Sequence, residues 1–112
     1  MIHLGNLILK QEVKMKKVAF IFPGQGSQTI GMGRDFFLNS DTAKEMIKKA
    51  SERLNIDFEK LLFEENENLG KTEFTQPAIL LVSSIALAVF KEKCKIEPEF
   101  VLGHSLGEFS AL

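Results

Sequence analysis

Near the end of the 112-residue chain stands Gly103-His104-Ser105-Leu106-Gly107, a G-x-S-x-G arrangement. That spacing suits a serine nucleophile held on a sharp turn between a strand and a helix. Side chains flanking such a turn collide, so glycine on either side relieves the collision and leaves the serine projecting from the sheet edge. The N–H of Leu106, opening the next helix, would point to where negative charge develops on an acyl oxygen under attack. The chemistry implied is nucleophilic catalysis by Ser105. Two glycines and a serine also fall together by chance. Here the apolar run Phe100-Val101-Leu102 precedes them and the helical pattern of residues 108–112 follows, which is the context the motif requires.

A serine nucleophile needs a base, and the chain holds only His3 and His104. His104 adjoins Ser105, and neighbouring side chains at such a turn diverge. His3 lies in a leader with no clear pattern. Seven residues follow Ser105, none of them histidine, whereas an α/β-hydrolase places its acid and its histidine after the serine. The catalytic unit within these 112 residues is therefore incomplete, and little transfer activity is expected of the chain alone.

A second segment, Phe22-Pro23-Gly24-Gln25-Gly26-Ser27-Gln28, invites a phosphate-cradle reading and fails it. A dinucleotide fingerprint needs glycine where Thr29 stands, and a Walker loop needs lysine and a hydroxyl where Met32 and Gly33 stand. The remaining readings are a plain loop, or a tight turn that offers a second backbone N–H to the oxyanion.

The elements that must position these segments are legible in outline. Val18 to Phe22 form five consecutive apolar residues stopped by Pro23-Gly24, which suits a strand covered on both faces in a parallel α/β sheet. Helical patterning resumes near Arg34. Ser40 or Asp41 is the expected N-cap of a helix running through Leu54, with Ala43, Met46, Ile47, Ala50 and Leu54 on one stripe. Phe58, Leu61 and Leu62 predict a short amphipathic piece, and residues 64–71 a polar loop. Thr75 is the expected cap of a long helix with Pro77 in its first turn, ending near Lys93. Phe100-Val101-Leu102 gives a second short buried strand ending at Gly103.

Composition narrows the partners. Fourteen Lys and Arg against fifteen Asp and Glu leave a net charge of −1, with no basic surplus for nucleic acid. The apolar run at residues 78–90 is shorter than the roughly 20 residues of a membrane span and reads as a buried helix. The single cysteine, Cys94, has no internal partner and reads as a bystander in a reducing compartment. The first residues lack a basic n-region and a small-residue cleavage site, so a cytoplasmic location is expected. Residues 1–14 fit no element, which suggests Met15 as the true start; a cellular peptide spanning residues 10–16 would refute that reading. No metal site and no cofactor are expected.

Three segments together resemble one family. Phe22-Pro-Gly-Gln-Gly-Ser-Gln28, Thr75-Gln-Pro-Ala78 and Gly103-His-Ser-Leu-Gly-Glu108 stand in the order and at about the spacing of the malonyl-CoA:acyl-carrier-protein transacylases, and of the related acyltransferase domains of polyketide and fatty-acid synthases. The resemblance covers residues 16–112. It implies an α/β-hydrolase-like large subdomain, of which residues 15–112 would be the first portion, without the ferredoxin-like subdomain. It implies malonyl-CoA and acyl carrier protein as substrates in fatty-acid synthesis, Ser105 as nucleophile, and the backbone N–H groups of Gln25 and Leu106 as the oxyanion hole. His104 and Gln76 match positions lining the family's active site. The activating histidine and the carboxylate-binding arginine would lie beyond Leu112. Two parallel strands without their neighbours would leave apolar faces open, so poor solubility or a loose fold is expected of the chain alone. Two other readings are a truncated serine esterase, which leaves the second and third segments unexplained, and a non-catalytic protein that only binds acyl carrier protein.

Overall fold

The computed structural model describes residues 17–98, 100–104 and 106–112. The leader at 1–14, with His3, and the candidate start Met15 lie outside the described residues.

Strand β1 (Ala19–Phe22) leads through a glycine-rich segment into helix α1 (Arg34–Asn39). Helix α2 (Asp41–Leu54) follows, and Ser40 caps it by accepting the Ala43 N–H at 3.2 Å. One hydroxyl thus satisfies a donor that the first turn leaves unpaired. Ala43 and Ile47 are buried, with Met46 and Ala50 packed beside them. Leu54, expected on the same stripe, is 53% exposed because the helix ends there, with Asn55 left-handed at φ 54°.

Helix α3 (Phe58–Phe63) is capped by Asp57, and its Phe58, Leu61 and Leu62 are all buried. The polar loop after it is less irregular than its composition suggests. Asn66 donates to the Leu61 and Glu64 carbonyls and accepts from the Asn68 and Leu69 N–H groups, forming a short 3-10 turn (Asn68–Gly70) that buries Leu69.

Helix α4 (Thr72–Lys93) begins three residues before the expected cap. Thr75 is inside it and fully buried, its hydroxyl donating to the carbonyls of Leu69 and Lys71 rather than capping a first turn. Pro77 consequently sits in the second turn. At 22 residues the helix exceeds its apolar run and is, among the described residues, the one helix long and apolar enough to cross a membrane. Its packing identifies a core helix instead. Ala78, Ile85 and Val89 join the cluster of Ala43, Ile47, Phe58, Leu61, Leu62 and Leu69, and every residue from 77 to 90 is buried or partly buried. A helix apolar on all sides belongs at the centre of a larger packing.

Among the described residues, Phe58 is the largest side chain with no exposure. Phe58→Ala is expected to cost about 3–5 kcal/mol, the usual effect of an aromatic-sized core cavity. Urea unfolding followed by far-UV circular dichroism measures it, and a loss under about 1 kcal/mol would contradict this placement of the core.

Strand β2 (Phe100–Gly103) pairs parallel with β1, Phe22 opposite Gly103, and helix α5 (Gly107–Ala111) follows. Phe20 reaches the face covered by α4, where its ring meets Phe90 edge-on at 5.5 Å. The other face differs from the expectation of strands buried on both sides: Ile21 is 73% exposed, Phe100 56% and Leu102 55%. Apolar patterning records a strand's demand for cover, and the described residues supply a layer on one side only.

Candidate active site

Parallel pairing brings the two strand ends to the same edge, and each runs into a tight turn. In the first, the Ser27 N–H and hydroxyl both donate to the Gly24 carbonyl, at 3.3 and 2.7 Å. Gly26 takes φ +106°, open to glycine and strained for other residues. Its N–H is held by the Gln28 side chain at 2.8 Å, which gives that glutamine a structural task the sequence reading did not identify. In the second turn, the Gly107 N–H donates to the His104 carbonyl at 3.0 Å, carrying the chain from β2 into α5. Ser105 lies within that turn and outside the described residues.

The two turns interlock. The ladder extends past the strands, with the His104 N–H donating to the Phe22 carbonyl at 3.1 Å. A Cβ on Gly107 would stand 2.1 Å from that same Phe22 oxygen, and a Cβ on Gly24 would stand 2.2 Å from the His104 oxygen. Each turn therefore presses a glycine onto the other's backbone. The requirement for glycine at 107, read from sequence as relief between a strand and its own helix, is set by the neighbouring strand end.

Gln25 and Leu106 thus belong to adjoining turns at one edge of the sheet. Among the described residues, no hydrogen bond uses the N–H of either. Two unspent donors beside a sharp turn suit an anion or a developing oxyanion. Gln76, from the second turn of α4, is at the same place: its side-chain amide donates to Gln25 Oε1 at 3.4 Å. His104 is exposed, with its backbone against Gly24 and its Nδ1 3.4 Å from where a Gly24 Cβ would sit. The four described positions singled out in sequence therefore come together. No group of three or more His, Cys, Asp or Glu is arranged to hold a metal among the described residues.

The sequence reading missed Thr72, whose hydroxyl accepts from Gln25 Nε2 at 3.0 Å. It stands four residues before Gln76 on one helix face, a signal obscured by starting the helix at Thr75.

The family model for the acyl transferase domain matches residues 19–112. A malonyl CoA-acyl carrier protein transacylase of Staphylococcus aureus (strain MSSA476) is 48% identical over 99 residues, 88% of this chain and 31% of that protein. Among solved structures, the malonyl-CoA:acyl carrier protein transacylase of Helicobacter pylori superimposes with a TM-score of 0.82 at 50% identity, covering 85% of this chain and 31% of that one. A malonyl-transacylase solved in complex with its type II PKS acyl-carrier protein gives a TM-score of 0.81 at 40% identity, with 87% and 32% covered. The chain spans about a third of the length of the relatives it matches.

Proposed function

The chain belongs to the acyl transferase domain family, and from that membership we propose that it carries the nucleophile and the oxyanion hole of a malonyl transferase of fatty-acid synthesis. Ser105 Oγ attacks the thioester carbonyl of malonyl-CoA, giving up its proton to a base. The carbonyl oxygen takes the charge and is held by the Gln25 and Leu106 N–H groups. The C–S bond breaks, and CoA leaves as a thiol with a returned proton. The phosphopantetheine thiol of acyl carrier protein then attacks the seryl ester, transferring malonyl and restoring the serine hydroxyl. His104 and Gln76 stand beside the reacting groups. Splitting thioester exchange this way lets two bulky carriers use one site in turn. It needs no metal or cofactor, and the proposed setting is the cytoplasm, where a lone thiol such as Cys94 stays reduced.

The observation that supports this reading best is the interlock of the two turns, which sets Gln25 and Leu106 at one edge, with N–H groups that no hydrogen bond uses among the described residues. In this reading the activating base and the group that binds the malonyl carboxylate are not among these 112 residues, which hold no histidine after Ser105. By themselves these 112 residues are expected to show at most residual transfer, because loss of a triad-type member leaves only residual catalysis.

To test this, the chain is joined to the part of the Staphylococcus aureus transacylase that follows the matched segment, giving a complete joined enzyme. Incubation with malonyl-CoA should add one malonyl group, mapped by peptide mass to Ser105 and discharged onto holo acyl carrier protein. Hydrolysis of the adduct without transfer would overturn the reading in favour of an esterase. Absence of an adduct, with carrier-protein binding indifferent to Ser105→Ala, would reduce it to a binding role. Rapid stoichiometric malonylation of the 112-residue chain alone would refute its incompleteness.

A further inference from the structure

The exposed Gln25 side chain is hydrogen-bonded at both ends of its amide. Its Nε2 donates to Thr72 Oγ1 at 3.0 Å, and its Oε1 accepts from Gln76 Nε2 at 3.4 Å. Thr72 opens α4 and Gln76 lies one turn along it, so both partners stand on one face of a 22-residue core helix. That helix is anchored by Ala78, Ile79, Ile85 and Val89 and cannot follow a moving loop. Apart from the packing of Gly24 on the His104 carbonyl, the turn carrying Gln25 has few other restraints. It closes on itself through Gly24, Ser27 and Gln28, and its outer residues are exposed. The amide clamp is what ties the outer side of this turn to the body of the fold.

We infer that Thr72 is a positioning residue, acting with Gln76 through the Gln25 side chain to fix the direction of the Gln25 N–H. The inference rests on the oxyanion role proposed above for that N–H. A donor stabilises the transition state only when it is aimed at the developing charge before reaction, and displacement by an ångström is costly. The Gln25 side chain, gripped on a rigid helix, removes the rotation that a glycine-flanked peptide would otherwise retain.

The joined enzyme is used for the test. Thr72→Val keeps the side-chain volume and removes the hydroxyl, so it should lower kcat about tenfold while KM for malonyl-CoA stays within about twofold. Thr72→Ser, which keeps the hydroxyl, should restore kcat to within about twofold of the parent. Gln25→Ala should reproduce the loss, and the double variant should be no worse than either single one, because both cut the same link. Unchanged kcat in Thr72→Val, failure of Thr72→Ser to rescue, or losses that multiply in the double variant would each overturn the inference. Amide hydrogen exchange gives a reading independent of activity. In Thr72→Val the Ser27 amide, which closes the turn onto Gly24, should exchange about fivefold faster, with the α4 amides unaltered. An unchanged Ser27 rate would refute the clamp. An inactive parent whose Ser27 amide responds as expected would refute the proposed function and leave the clamp standing.

Discussion

Gly107→Ala is expected to destabilise the joined enzyme by about 3 kcal/mol or more and to abolish its transfer activity. The new Cβ would lie 2.1 Å from the Phe22 oxygen, 2.8 Å from the Phe22 carbonyl carbon and 3.0 Å from the Pro23 oxygen. All three are backbone atoms, so no side-chain rotation relieves the contact. Phe22 cannot withdraw, because its carbonyl accepts the His104 N–H at 3.1 Å and its strand is paired to β2 at Gly103. The remaining adjustment is to lift the start of α5, which opens the turn holding Ser105 and moves the Leu106 N–H. Gly24→Ala should behave alike, with its Cβ 2.2 Å from the His104 oxygen. Gly70→Ala is the control, since nothing lies within 4 Å of its Cβ. Urea unfolding of the three variants decides the matter. A Gly107→Ala protein as stable as Gly70→Ala would show that the turns do not interlock.

Ser105→Ala has the larger consequence for chemistry and should leave stability nearly untouched. Removing the nucleophile of a serine acyl transferase removes the covalent route itself, so malonylation of the joined enzyme should fall by about 10⁴-fold or more. What remains would come from binding and the oxyanion donors. The readout is the malonyl adduct by intact mass and the rate of malonyl appearance on acyl carrier protein. An adduct that persists at the parent rate in Ser105→Ala would place the nucleophile elsewhere and refute the elbow reading. Together the two substitutions separate the roles within one turn: Gly107 holds its geometry, and Ser105 supplies its reacting atom.

Much of the fold was legible because its signals are local. The Ser40 cap, the end of α2 at Leu54, the short α3 with Phe58, Leu61 and Leu62 inward, and both strands stand close to where pattern and capping chemistry put them. The start of α4 was misread for an equally local reason. Thr75 before Pro77 imitates a cap, whereas its hydroxyl serves the Leu69 and Lys71 carbonyls at the junction with the preceding 3-10 turn. That junction depends on Asn66 organising a loop whose composition predicts nothing regular.

The sequence by itself determined which residue types are available for chemistry: a serine between glycines, a glycine-rich turn after a strand, and a glutamine just before a long apolar run. Each motif spans a handful of residues, and its meaning follows from backbone sterics and hydrogen bonding within that span. Only the tertiary structure decided that they meet. Gln25 and Thr72 are 47 positions apart, and Gln25 and Gln76 are 51 apart. The glycines at 24 and 107 are each required by a carbonyl on the opposite strand end. Such encounters depend on parallel pairing and on where α4 packs. Those are set by the burial of many side chains at once, so no short window of sequence contains them.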